Sequence, residues 1–268
     1  MTYAAYLETR SAEETDVFLE RRLESFSFLV RPPPEARFCR VSDHGECEAL
    51  SGSVRGRLCQ QLAQLPSRRV EAGQHLYRVG HPAGSLFLVQ SGLIKASTVS
   101  AAGEELTLRL YKPGDLLGEL CLCGGGRREE AVALEPSTVT EISLAALTAR
   151  LRQDPEAALE LACAVCDRLG DAYEQIESLS WDTVLYRLVR TLLRLANDLG
   201  EPSESGTSLA HYIRQEELAR LVGARREVVS GLLNRLRASG HISYSPRGAI
   251  TVRPGSLQRF LEARTRAG

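Results

Sequence analysis

Residues 214–237 read RQEELARLVGARREVVSGLLNRLR. Leu218, Leu221 and Val222 line one short helix, and Val228, Val229, Leu232 and Leu236 line the next. Gly223 stands between them, where a tight turn needs a residue that tolerates a left-handed backbone. The second helix opens with Arg226 and Glu227 and carries Ser230 on the same exposed face, with Arg225 just before it and Arg235 further along. A helix-turn-helix of this kind offers the polar N-terminal residues of its second helix to base edges in the major groove. Downstream, HISYSPRGAITV (241–252) has the pattern of a two-stranded hairpin closed by Pro246, Arg247 and Gly248, that is, a wing.

Charge is distributed to match. Residues 205–268 hold eleven Lys plus Arg against four Asp plus Glu, or +7, while the whole 268-residue chain carries −1, leaving −8 on the rest. A basic module on an acidic body supplies the sequence-independent attraction to phosphate that DNA binding requires.

Upstream of this module the periodicity changes twice. From Arg69 to about Ser143 short alternating apolar stretches are broken by Gly73, Gly80, Gly84, Gly92, Gly103 and Gly114, which predicts an antiparallel roll or barrel. Asp154-Pro155 is then an N-cap followed by a first-turn proline. Ala158, Ala162, Val165, Leu169, Ala172, Ile176 and Leu179 follow at alternating intervals of 4 and 3, the 3.5-residue spacing of a helix that pairs with a second helix. The same small residues would also suit a helix packed within one subunit. Another helix is expected over Trp181–Leu199, and EPSESGTS (201–208) reads as a polar linker. Residues 12–30 read as an amphipathic helix ended by RPPP at 31–34. The expected division is an N-terminal appendage over 1–50, a sensor roll over 51–153, a dimerisation helix over 154–182 and a winged helix over 183–268. The fold class is α+β.

Three tracts carry a resemblance. LVGARREVVSGLLNRLRASGHISYSPRGAITV (221–252) resembles the DNA-binding end of the Crp/Fnr family of bacterial regulators. LYRVGHPAGSLFLVQSGLIKAS (76–97) and PGDLLGEL (113–120) resemble that family's β-roll and the approach to its effector pocket. The resemblance implies an antiparallel β-roll of the cyclic-nucleotide-binding type, a long central dimerisation helix and a C-terminal winged helix-turn-helix. It implies a homodimer on two-fold symmetric double-stranded DNA, with RNA polymerase as a protein partner. Arg225, Arg226, Glu227, Ser230 and Arg235 are then the DNA-binding residues, Arg226 pairing with guanine and Glu227 accepting from cytosine. Gly231 departs from the family, which often has arginine there, so the outer part of the half-site is expected to be read differently or not at all. The effector pocket is expected around Gly118, Glu119, Leu120, Arg127, Arg128 and Arg168.

The resemblance does not settle the signal. Cyclic-AMP-binding relatives hold the phosphate with an Arg-Ser pair, but GELCLCGGGRREEAVALE (118–135) puts Glu129 and Glu130 there, and two carboxylates facing a phosphate repel it. Arg127 and Arg128 would restore anion binding only through a shift of the Gly124–Gly126 loop. Cyclic AMP is therefore not the expected effector. The Fnr side of the family implies an iron–sulfur cluster, for which Cys39, Cys47, Cys59, Cys121 and Cys123 are the candidate ligands. The spacing is not the family's tight cysteine run, and Thr140 stands where a distal cysteine is usual. A thiol switch, or a zinc site using His44, uses the same residues. Cys163 and Cys166, on the long helix, also read as small space-filling hydrophobes.

No nucleophile elbow, P-loop, H-E-x-x-H or dinucleotide fingerprint occurs, so an enzyme is not expected. No apolar run reaches the roughly 18 residues of a membrane span and the N-terminus is acidic, so no membrane association and a cytoplasmic location are expected. The alternative reading is a nucleotide-binding regulatory subunit that acts on a partner protein.

Overall fold

The computed structural model describes residues 58–123, 125–209, 211–244 and 248–265, without the side chains of Cys121, Cys123, Arg264 and Thr265. The expected appendage, its helix over 12–30, and Cys39, His44 and Cys47 lie outside the described residues. So do Pro246 and Arg247 of the wing turn.

Eight strands form the roll as two antiparallel four-stranded sheets. The first runs β1 (Ser67–Val70), β8 (Ser137–Ser143), β3 (Ser85–Ser91), β6 (Leu116–Leu117); the second runs β2 (His75–Tyr77), β7 (Glu130–Ala133), β4 (Ile94–Val99), β5 (Glu105–Tyr111). Alternation along the strands sets the faces. Ala131 and Ala133 of β7 are fully buried with Ile94 and Ala96 of β4, whereas Glu130 and Val132 point the other way and pair with Ser97 and Lys95. Thr140 is buried in β8, where its hydroxyl accepts a hydrogen bond from Gln90 Nε2 at 2.6 Å; threonine there completes a polar pair inside the sheet.

A helix α1, described over 58–63, precedes the roll, and two helices follow it: α2 (Leu144–Gln153) and α3 (Pro155–Trp181). Asp154 caps α3, accepting from the Ala157 amide at 3.2 Å, with Pro155 at the first helical position. The start of α3 belongs to the roll. Ala157 and Leu161 join an apolar cluster with Leu58, Leu62 and Leu86, and the buried Glu160 accepts from the Leu58 amide at 2.7 Å. Beyond it the apolar face turns outward: Val165, Leu169, Ile176 and Leu179 are between 39 % and 59 % exposed. An apolar stripe of this length on one helix is not covered by its own subunit.

The helix expected over 181–199 begins later. Asp182 is extended, with φ −89° and ψ 141°, and α4 spans Val184–Leu199. The Asp182 carboxylate accepts from Ser178 Oγ at 3.0 Å and from Arg190 Nε at 2.8 Å, a local alternative to continuing the helix. EPSESGTS is also not a linker. It forms a hairpin of β9 (Gly200–Ser203) and β10 (Gly206–Leu209), and β10 pairs with β12 (Thr251–Val252), giving a sheet ordered β11 (Ile242–Ser243), β12, β10, β9. Its polar composition hides the strands, and Pro202 is tolerated because β9 is the edge.

The helix-turn-helix consists of α5 (Gln215–Val222) and α6 (Arg226–Ala238), and α7 (Pro254–Thr265) closes the module on α4 through Tyr186 and Phe260. Gly223 adopts φ 64°, ψ 50°, the left-handed turn read from sequence. Arg187 of α4 fastens that turn: Nε donates to the Val222 carbonyl at 2.9 Å, Nη2 to Gly223 at 3.3 Å, and Nη1 to Asp182 at 3.0 Å. The module also sits on the roll. Leu93 belongs to the module's apolar cluster, and Leu110 and Leu134 pack against it. Arg187→Ala removes three charge-assisted bonds at once, and the expected outcome is a loss of about 2 kcal/mol in urea unfolding with the fold retained. An unchanged midpoint would show that the clamp is replaced by water at no cost.

Candidate nucleic-acid interface and effector pocket

Recognition helix α6 stands on Val229, Leu233 and Leu236, all buried. Arg225, the extended residue before the first turn, and Arg226, Glu227 and Arg235 are exposed; Ser230 is half-buried. Gly231 is exposed on the same helix. Val228, assigned above to the apolar side, is instead 46 % exposed beside the polar group. The spacing 229, 233, 236 accounts for the buried side without it, and on the outer face a valine suits contact with a thymine methyl. Glu227 in the first turn complements the positive end of the helix dipole.

The sequence reading missed the residues that hold the wing to this helix. Tyr244 Oη donates to Asn234 Oδ1 at 3.0 Å, and the Arg237 guanidinium lies 4.8 Å from the Tyr244 ring centroid. These contacts join positions up to ten residues apart, at no fixed interval, so no periodicity announces them.

In the roll, the expected pocket residues are brought together but engage one another. Gly118 has φ 86°, and a Cβ there would lie 2.5 Å from Arg127 Nη1. Arg127 is buried, stacked 4.1 Å from the Tyr77 ring centroid and 5.7 Å from that of Phe87. It donates to the Gly118 carbonyl at 3.2 Å and to that of Ser85 at 2.5 Å. Glu119 pairs with Arg168 of α3, whose guanidinium lies 5.3 Å from the Tyr111 ring centroid. Arg109 of β5 makes a second ion pair to α3, with Asp171. Arg128 is exposed, and Leu120 is 45 % exposed.

Glu129 and Glu130, expected side by side, face opposite ways because they are neighbours across the start of a strand. Glu129 is buried and accepts from Tyr77 Oη at 3.0 Å. Glu130 accepts from Ser97 Oγ at 3.3 Å and lies 3.7 Å from His75 Nδ1. Burial pushes the Glu129 carboxyl above its ordinary range, and Glu119 adds to this, against the Tyr77 hydroxyl, Arg168 and Arg127. Burial, with Glu129 beside it, likewise holds the Tyr77 phenol protonated.

Of the candidate cysteine ligands, Cys59 is half-buried and its thiol donates to the Gly114 carbonyl at 3.3 Å. Cys121 and Cys123 belong to a 3-10 turn over Glu119–Cys123. Among the described residues no group of three or more His, Cys, Asp or Glu side chains is arranged to hold a metal.

Residues 67–154 match the cyclic nucleotide-binding domain family and residues 186–260 the Crp-like helix-turn-helix family. The cyclic AMP receptor protein of Thermus thermophilus is 31 % identical over 73 % of this chain and 88 % of its own length. The chain belongs to the Crp/Fnr family. The anaerobic regulatory protein of Bacillus subtilis is 31 % identical over 69 % of the chain and 79 % of that relative. A solved Crp/Fnr-family transcriptional regulator from Thermus thermophilus superposes with a TM-score of 0.62 at 27 % identity, covering 74 % of this chain and 98 % of that one. Crp/Fnr regulators with names as different as cyclic AMP receptor and anaerobic regulator match this chain equally well, so membership leaves the signal open. No helix among the described residues is long and apolar enough to cross a membrane.

A carboxyl whose folded pKa is raised makes the fold less stable as pH rises from the ordinary value through the raised one. Glu129→Gln keeps an acceptor for Tyr77 and removes that cost. The variant is expected to melt above the parent at pH 7.5, with the advantage shrinking as pH falls to 4; a pH-independent difference would place the effect elsewhere.

Proposed function

We propose that this Crp/Fnr-type transcription regulator binds two-fold symmetric operators as a cytoplasmic homodimer and acts on RNA polymerase. The observation that carries the operator reading is the free polar N-terminus of α6, Arg225, Arg226 and Glu227, on a module of charge +7. Arg226 reads guanine and Glu227 reads cytosine, while Arg225, Ser230 and Arg235 position the helix on phosphate or base edges. The apolar stripe of α3 from Val165 to Leu179 is the surface that a second copy covers, which places two recognition helices on half-sites about one DNA turn apart.

The signal in this reading is redox rather than cyclic AMP. A cyclic phosphate needs free donors and surplus positive charge. Here Arg127 is committed to two backbone carbonyls, Glu119 is committed to Arg168, and Glu129 brings a further carboxyl to the same interior. The cysteines are the remaining sensor candidates. Cys39 and Cys47 would hold an iron–sulfur cluster or a thiol switch together with Cys121 and Cys123; Cys59, with its thiol on the Gly114 carbonyl, is the weaker fifth ligand.

Selection from a random duplex library with the full-length protein gives the operator. Arg226→Ala is then expected to lose about 1–3 kcal/mol of specific binding and to relax base choice at one position per half-site. A loss spread uniformly over all sequences would reduce Arg226 to a phosphate contact. Anaerobically purified protein is expected to change operator affinity on exposure to air, and Cys39→Ser/Cys47→Ser to abolish the change, with iron and sulfide analysis separating cluster from thiol. A response to cyclic AMP and none to air would reverse the assignment.

A further inference from the structure

The outer face of the second sheet carries charge that a solvated sheet face would leave in water. Lys95 of β4 is only 5 % exposed. Its Nζ lies 2.6 Å from Glu105 Oε1 on β5, and 3.1 and 3.2 Å from the two carboxylate oxygens of Glu217 on α5. Arg220, one turn along α5, completes a ring: Nε lies 3.0 Å from Glu105 Oε2 and Nη1 2.5 Å from Glu217 Oε1, with Nη2 2.9 Å from Glu216. Two residues of the roll and two of the helix-turn-helix are thus cross-paired, each cation touching both Glu105 and Glu217, one on its own side and one across the junction.

This ring is joined to the elements that matter for DNA. Gly223, which closes α5 and starts the turn into α6, has Leu106 of β5 and Leu179 of α3 about it: a Cβ added there would lie 3.6 and 3.4 Å from their methyl carbons. The contact uses α5 and leaves the start of α6 exposed, so docking and DNA reading do not compete for the same residues. Buried ion pairs are poor sources of net stability, because desolvation offsets the attraction; in some proteins their role is instead to select one geometry over its neighbours. Two recognition helices must match half-sites at a fixed separation, so a module free to tilt loses affinity for a full operator.

We propose that Lys95, Glu105, Glu217 and Arg220 form an ionic latch that docks α5 on the roll and fixes the recognition helix in its DNA-reading position, so that these residues set operator affinity without contacting DNA. The proposal rests on the operator-binding reading above. It makes a prediction opposite in sign to simple electrostatics. Glu217→Lys raises the charge of residues 205–268 from +7 to +9, which by itself tightens binding to phosphate. Through the latch the new lysine faces Lys95 and Arg220, and the module is released.

The test uses full-length protein, the selected operator, and a random-sequence duplex of equal length. Glu217→Lys and Lys95→Met are each expected to bind the operator about tenfold more weakly, with binding to the random duplex unchanged or tighter for Glu217→Lys. Lys95→Arg should stay within about twofold of the parent, and Lys95→Met/Glu217→Gln should be weakened less than the product of the two single changes. Hydrogen exchange without DNA should quicken at 94–111 and 215–222 together in the single variants. Operator binding by Glu217→Lys as tight as the parent's, or weakened binding with unchanged exchange at both segments, would overturn the latch. Because exchange is read without DNA, a parent protein that selects no operator sinks the functional reading, and the latch is then judged by exchange alone.

Discussion

A β-strand presents side chains on two faces, and β5 commits them to different cores. Tyr111 is buried inside the roll with Ile94, while its neighbour Leu110 packs against the apolar cluster of the DNA-binding module. Between the two domains there is accordingly no layer of solvent at this strand, and what the roll does to β5 is felt on both sides. Arg109 on the same strand pairs with Asp171 of α3, and Glu105 pairs with Arg220 of α5. Roll, long helix and helix-turn-helix therefore meet along seven residues.

A further contact links the roll to the exposed stripe of α3. The Glu119–Arg168 pair ties the turn after β6 to α3, immediately before Leu169 of the exposed stripe. A change that separates Glu119 from Arg168 acts directly on the surface that a second subunit would cover. Inside the roll only Arg168 and Glu119 form an ion pair, while Arg127 is held by backbone carbonyls and Glu129 by the Tyr77 hydroxyl.

Much of this was legible in one dimension. Gly223 between two apolar-faced segments located the helix-turn-helix, because only the left-handed conformation closes that turn cheaply. Asp154-Pro155 marked the start of the long helix to the residue. Where local pattern failed, a local competitor or a nonlocal partner had won. Asp182 broke a helix that Trp181 and Val184 would both accept, since its carboxylate finds donors on Ser178 and Arg190. The polar stretch 201–208 became two strands because β12, more than forty residues on, supplies the backbone partners of β10.

By itself the sequence determined the order of roll, long helix and winged helix, the family and the composition of the reading helix, because these depend on periodicity, turn chemistry and charge counted along the chain. Tertiary structure alone decided that Glu129 turns in while Glu130 turns out, that Arg127 is spent on its own backbone, and that Lys95 is buried against Glu217, 122 residues away. Those facts depend on which faces meet. A lysine on a strand looks like a solvated charge until another domain's carboxylate is placed beside it, and no property of the lysine's neighbours in sequence carries that information.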